Sequence, residues 1–258
     1  MIKGAGEMAS GVAWRIYMSN IRKILMLETA SPLAVRRKVS FCEAVHAENQ
    51  TVEGVQAIKV DGDDTMQMAW NRGKIAIAVD PGWKLLDHAR PNVVVDAILA
   101  KKNLGTHKKE APLVIGLGPG FDAGQDVHMV IETNRGHHLG RIITSGKAAP
   151  DTGIPGSIKG YTEERVLRAP CDGEFNTRCS IGNPVKQGDA IGNVAGEPVA
   201  AQIDGVIRGL IRSPMHVSRG LKIGDIDPRG VVDYCDTISE KARAIGGAVL
   251  EAILRVYN

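Results

Sequence analysis

The sequence predicts an α/β chain: a Rossmann-like, mostly parallel sheet domain, then a small all-β barrel-sandwich module, then a C-terminal helix. Three observations predict it. Continuous apolar runs alternate with helix-patterned segments through the first hundred residues, as parallel strands covered on both faces require. From Arg168 onward, short strand-like runs and Asp-Gly turns take over and repeat once. One amphipathic stretch closes the chain. The expected divisions are residues 1–160, 161–230 and 231–258, the last packing back on the first.

Ile2-Lys3 opens as a short strand, and Glu7 to Ser19 has apolar residues at helical spacing (Met8, Val12, Ile16). Ile24 to Leu27 is a continuous apolar run ending at Glu28. Thr51 to Val60 alternates like an exposed hairpin inserted into the core pattern. Asp63 to Asn71 reads as a helix, Ile75 to Val79 as a strand, and Val93 to Val95 as a β-branched strand ending at Asp96. Leu113 to Leu117 is a buried strand, and Asp126 to Glu132 is a further one. Asn134 to Gly160, rich in Gly, Pro, Ser and Thr, reads as loops joining two domains. Thr237-x-x-Glu240 is a capping box for a final helix. Gly246-Gly247 lies in its middle, where glycine costs about 1 kcal/mol against alanine and calls for a close packing partner.

The repeat is explicit. Shifting residues 169–192 by 32 aligns them with 201–224 at seven identities, including Asp172-Gly173 with Asp204-Gly205 and Ile191-Gly192 with Ile223-Gly224. Two such halves would close into a flattened sandwich. The module resembles biotinyl and lipoyl domains, in which a lysine on a hairpin tip carries the group. Here the tip falls near Gly192 to Pro198, and no lysine occurs from Gln187 to Leu221. A carrier function is disfavoured on that ground, and a docking or oligomerisation role is expected instead.

Composition narrows the classes. At 258 residues, 43% hydrophobic and 24% charged, the chain is ordinary for a globular protein. Aromatics at 4% argue against a base-stacking platform, and the basic clusters are too short for a nucleic-acid arm. No apolar run approaches a membrane span, and no signal pattern opens the sequence. The four cysteines form no C-x-x-C pair, which fits a reducing cytosol. A cytoplasmic protein is expected.

Gly4-x-Gly6-x-x-Ala9 lies where a strand becomes a helix, with Glu28 ending the next strand. This is the dinucleotide fingerprint: one glycine for the turn, one for phosphate approach, a small residue for packing, and an acid for a ribose. A Rossmann-like turn with another ligand, or none, has the same appearance. Arg36 and Arg37 could contact a 2′-phosphate or lie on the surface. Asp80 and Asp96 end parallel strands and would face the same crevice, or cap local amides. Gly116-x-Gly118-x-Gly120 is a second anion nest or a plain turn, without the Lys-Ser/Thr of a Walker A loop. Cys235, two residues before Thr237, would be a reactive thiol if the helix end acts on it, and an inert one if buried. His128, His137, His138, Glu132 and Cys235 lack recognised ligand spacing, so no metal is expected.

The stretches IKGAGEMASGVAWR, SPLAVRRKVSF, VVVDAILAKKN, APLVIGLGPGFDAG, VIETNRGHHLGRII and DGVIRGLI…GLKIGDIDPRG, with YCDTISEKARAIGG, span nearly the whole chain. On them the sequence resembles the YqeB family, accessory proteins of the selenium-dependent molybdenum hydroxylase system. Glu7 stands where that family would have Asp. The resemblance implies a maturation protein that handles a dinucleotide or molybdopterin cofactor, or transfers selenium through a thiol such as Cys235. The partners it implies are a nucleotide-like small molecule and a molybdenum hydroxylase, with homo-oligomerisation open. An NAD(P)-dependent oxidoreductase and a structural adaptor with a vestigial nucleotide fold remain as alternatives. No Tyr-x-x-x-Lys constellation supports the first of these.

Overall fold

A computed structural model describes residues 1–258. The chain divides into two compact units, both discontinuous. Met1–Pro32, Ser40–Thr152 and Ile238–Asn258 form the first, and Leu33–Val39 with Gly153–Thr237 form the second. No helix is long and apolar enough to cross a membrane.

The strands of the first unit are β1 (Ile2–Lys3), β2 (Leu25–Glu28), β3 (Asn49–Val52), β4 (Val55–Val60), β5 (Ile75–Val79), β6 (Val93–Asp96), β7 (Leu113–Leu117), β8 (Asp122–Ala123), β9 (Met129–Ile131), β10 (Ile142–Ile143) and β11 (Gly146–Lys147). Its helices are α1 (Glu7–Met18), α2 (Ala44–Ala47), α3 (Asp63–Asn71), α4 (Leu85–Ala89) and α5 (Glu240–Tyr257). Nine strands form one mixed sheet in the order β10-β9-β7-β6-β1-β2-β5-β4-β3, and β8 and β11 make a separate ribbon. From β9 across to β4 neighbours run parallel, while β3 and β10 are antiparallel edges.

The central strands are apolar along their length because both faces are covered. Every residue of β7 is buried, as are the first four of β5. Nearer the edge, β4 alternates buried and half-buried positions. It turns into β3 through Glu53-Gly54, both with positive φ (43° and 79°), a two-residue connection whose twist matches a hairpin. Helix α5 packs on α1 at small residues. A Cβ on Gly11 would come within 2.7 Å of the Ala242 Cβ, and one on Gly246 within 2.8 Å of the Gly11 carbonyl oxygen. The N-cap of α5 is Ser239, whose Oγ accepts from the Ala242 amide, so the helix starts two residues beyond the expected Thr237 cap. Thr237 instead donates its hydroxyl to the Asp233 carbonyl.

The second unit contains β12 (Val166–Arg168), β13 (Gly173–Asn176), β14 (Pro184–Val185), β15 (Ala190–Val194), β16 (Glu197–Ala200), β17 (Gly205–Leu210), β18 (Met215–Val217) and β19 (Lys222–Asp227). They form two antiparallel sheets, β12-β19-β17-β14 and β16-β15-β13-β18. The 32-residue repeat maps β13, β14 and β15 onto β17, β18 and β19. The short strand of each half pairs with the other half: β14 with β17, and β18 with β13. The repeated Asp-Gly turns place Gly173 and Gly205 at φ of 147° and 158°. A Cβ there would strike the Ala195 Cβ and the Asp227 carbonyl.

The expected architecture is corrected by these facts, although the α/β class holds. The molecule is not a Rossmann-like domain followed by a biotinyl/lipoyl-like barrel-sandwich and a helix. It has a large mixed sheet with antiparallel edges, plus separate antiparallel sheets. Two local reasons account for the difference. The hairpin β3–β4 joins the main sheet instead of standing apart as an insertion. The stretch from Asn134, expected to be connecting loop, supplies β10 to the main sheet and β11 to the ribbon.

Candidate functional site at the carboxyl edge of the sheet

The parallel strands of the first unit end on one edge, and the sequence-expected residues of that unit are distributed along it. Gly4, at φ 88°, lets β1 turn against β6, where a Cβ would lie 3.3 Å from the Ile98 Cα. Gly6 is the N-cap of α1 at an ordinary φ of −69°, and a Cβ there would meet nothing. Ala9 is fully buried under the helix. Both carboxylate oxygens of Glu28 are engaged locally, accepting from the Ala5 amide (2.8 Å) and the Thr29 amide (2.8 Å).

Asp80 accepts from the Leu85 amide at 2.8 Å and so holds the start of α4. Asp96 is buried and accepts from the Thr106 hydroxyl (2.6 Å) and the Ile98 amide (3.2 Å). It belongs to a closed network with Lys3. The Lys3 ammonium, wholly buried, donates to Thr106 (2.7 Å) and Glu110 (2.8 Å) beneath the Trp83 ring, 3.7 Å from its centroid. Burial pushes this amine below the ordinary lysine range, against the opposing pull of Glu110 and Asp96. Gly118 and Gly120, at φ 77° and 111°, let the turn after β7 close on Thr133 and on the Lys102 backbone, which a Cβ would strike at 2.4 and 2.7 Å.

Three sequence-expected residues lie in the second unit. Arg36 is buried and donates to the Tyr234 and Thr237 carbonyls at 2.9 and 3.0 Å. Arg37 donates to the Leu210 carbonyl at 2.7 Å. Cys235 is buried, with its sulfur 3.7 Å from the Ile207 carbonyl oxygen. Burial, then Asp236, pushes its thiol above the ordinary cysteine value, opposite to activation by a helix end. Among His, Cys, Asp and Glu, no cluster is arranged to hold a metal ion.

The same edge carries a group that the sequence reading did not single out. Lys241, in the first turn of α5, is half-buried and donates no hydrogen bond. The carboxylates around it are already committed. Glu7 accepts from the Ser239 hydroxyl at 2.8 Å. Glu132 accepts from the Asn134 and Ala149 amides, both at 2.7 Å. Asp151 pairs with Lys101 at 2.6 Å, and Glu240 with Arg135. Burial, reinforced by Arg135, draws the Lys241 amine below the ordinary lysine range, although Glu7, Asp151 and Glu132 resist. Glu132 also borders a polar cavity of about 390 Å³ lined by His138, Arg141, Thr144, Ser145 and Lys147. The Arg141 guanidinium has no partner, and Lys147 has only a long contact of 3.9 Å to Asp122. With Arg141 and Lys147 set against the one carboxylate of Glu132, the cavity lining carries net positive charge.

One sequence signal could have exposed Lys241. The first turn of a helix favours acids, because its unsatisfied amides make that end positive. A lysine as the second helical residue works against this local preference, and such breaches of local rules concentrate at functional sites.

No family model matches the chain. Over all 258 residues it is 48% identical to the "Uncharacterized protein YqeB" of Escherichia coli (strain K12). The chain is a relative of YqeB. It spans about half of YqeB, 48% of that protein's length. Likeness to solved structures is weak. An aspartoacylase family protein from Mesorhizobium loti is 24% identical, over 33% of this chain and 32% of that one, with a TM-score of 0.23. The product-bound ectoine utilization protein EutE (DoeB) from Ruegeria pomeroyi is 15% identical, over 56% and 60%, with a TM-score of 0.24. Scores this low establish no shared fold.

The function expected from the sequence is therefore corrected. It has three forms: maturation accessory of a selenium-dependent molybdenum hydroxylase, NAD(P)-dependent oxidoreductase, and adaptor with a vestigial nucleotide fold. The first two are built on a Rossmann-like nucleotide turn with its acid available. Here that acid, Glu28, is spent on the Ala5 and Thr29 amides.

Proposed function

We propose that the chain carries an acid–base site for a small anionic substrate at the carboxyl edge of the nine-stranded sheet. Lys241 is the group that exchanges a proton. His138, Arg141 and Lys147 hold the substrate's negative charge, with Thr144 and Ser145 supplying hydroxyls. The observation that carries this reading is an amine without a hydrogen-bond partner, among committed carboxylates, one of which, Glu132, also borders a cavity of net positive lining. A lysine drawn below its usual range gives up its proton at lower pH than an ordinary surface ammonium, and the amine so freed can accept one. Ligand carboxylate or phosphate oxygens would find the fork of Arg141 open.

The test is selective labelling. Native protein is treated with a limiting amount of acetic anhydride from pH 6 to pH 9, and each lysine's modification is read by mass spectrometry. Lys241 is expected to react several-fold faster than the exposed Lys84 at pH 7, and inorganic phosphate or succinate should alter its rate. Reaction at the Lys84 rate, indifferent to both anions, would sink the reading. Arg141→Ala should abolish the anion effect while leaving the labelling of Lys241 intact.

A further inference from the structure

The opposite ends of the same strands enclose a second cavity. Its volume is about 450 Å³, within the range of small-molecule pockets, about 300–1,000 Å³. The wall is predominantly apolar. Ile16 and Ile253 come from α1 and α5, Val93 and Val95 from β6, and Ile21 from the connection after α1. Trp70 lines one side. Its indole N–H donates to the Ile24 carbonyl at 2.9 Å, so the donor is spent and the ring offers carbon surface to the cavity. Ile21 remains 38% exposed, a large aliphatic side chain left for water at the cavity wall.

Two charged side chains line this space, Lys23 and Arg90, and both are positive. Both are exposed, and neither has a carboxylate partner in the fold. No aspartate or glutamate lines the cavity. An ordinary packing gap between strand ends needs no such charge pattern. An apolar interior with a cationic rim matches one ligand chemistry, an aliphatic chain ending in an acid group.

We propose that this cavity binds an amphipathic carboxylate, its chain between Trp70 and Ile253 and its acid group at Lys23 and Arg90. The site lies at the amino ends of the strands, away from the Lys241 edge, and does not depend on the role assigned there. Burial of the chain supplies most of the affinity, since apolar area removed from water gives roughly 25 cal/mol per Å². The exposed cations contribute less, but they select the sign of the head group.

The experiment is isothermal titration of the full chain with decanoate, decanol and decyltrimethylammonium, each below its micelle concentration. Decanoate is expected to bind saturably, about tenfold tighter than decyltrimethylammonium, with decanol between them. In the doubly reversed variant Lys23→Glu/Arg90→Glu the order should invert. Both substitutions are at exposed positions, and circular dichroism checks that the variant folds. A second variant, Val93→Trp, fills the space from one wall and should remove binding of all three probes. Equal binding of the two charged probes by native protein, an order untouched by charge reversal, or no saturable binding at all would each overturn the proposal.

Discussion

At the scale of single residues, the Lys241 amine makes a definite statement about stability. Its pKa is lowered from 10.5 by burial and by Arg135. In the unfolded chain the amine returns to that ordinary value. Below the folded pKa both states are protonated, and the native state carries the whole penalty. Between the folded pKa and 10.5 the unfolded state holds more protons, so stability rises with pH across that window. Lys241→Met removes the charge and keeps an unbranched stem. The variant is expected to be more stable than the parent at pH 7, with the advantage shrinking as pH approaches 10.5. Urea midpoints of both proteins at pH 7 and pH 10 check this, and a constant gap would mean the amine is not depressed. Lys3 contributes the same slope to both proteins, so it cancels in the comparison. Local pattern placed Lys241 on a helix but could not reveal its surroundings. Glu7, Glu132 and Asp151 come to it from distant parts of the chain, and only the fold decides which of them are already committed.

Among the elements, α5 offers the sharpest test, because two adjacent glycines have opposite reasons to be there. Gly246 faces α1, where an added Cβ would sit 2.8 Å from the Gly11 carbonyl oxygen and 3.1 Å from the Arg15 Cβ. Gly247 faces open space. Gly246→Ala is therefore expected to destabilise by about 1–3 kcal/mol, since the backbone of α1 must move. Gly247→Ala should stabilise by up to about 1 kcal/mol, the helix-propensity difference alone. Thermal or denaturant unfolding separates the two, and equal effects would contradict the packing of α1 against α5. The pair calls for a close partner when read as sequence, and only one member has it. Other elements were more legible. The helix over Asp63–Asn71 and the strands over Ile75–Val79 and Leu113–Leu117 form over the residues their patterns mark, because period and length agree there. The edge strand β10 did not announce itself. β10 is two residues long, within a Gly- and Ser-rich stretch, and no periodicity can be read from so short a run.

The whole molecule is set by a division that composition only half reveals. The change to short strands near Arg168 is plain in the sequence, and the repeat is too. Nothing local indicates that Leu33–Val39 belongs with them. The segment is held by contacts with residues more than 170 positions away. The Leu210 amide donates to the Val35 carbonyl at 2.8 Å, and Arg37 donates back to the Leu210 carbonyl at 2.7 Å. Gly209 accommodates Val35, whose Cγ1 would lie 2.7 Å from an added Cβ. Arg36 meanwhile ties down the Tyr234 and Thr237 carbonyls. A fragment of residues 153–237 alone would thus lose partners for the Leu210 amide and for the Leu210 and Thr237 carbonyls, each costing about 1–3 kcal/mol where it stays buried. That fragment is expected to unfold at lower urea concentration than one in which residues 33–39 are restored through a flexible linker. In the linked fragment, Gly209→Val should erase the gain, because the new side chain occupies the place of Val35. If the two fragments unfold together, the segment is a passive strap and the second unit is complete without it. If the linked one gains stability and loses it with Gly209→Val, this unit is built from two separated stretches of chain, and an expression boundary drawn at the change in composition would cut through its core.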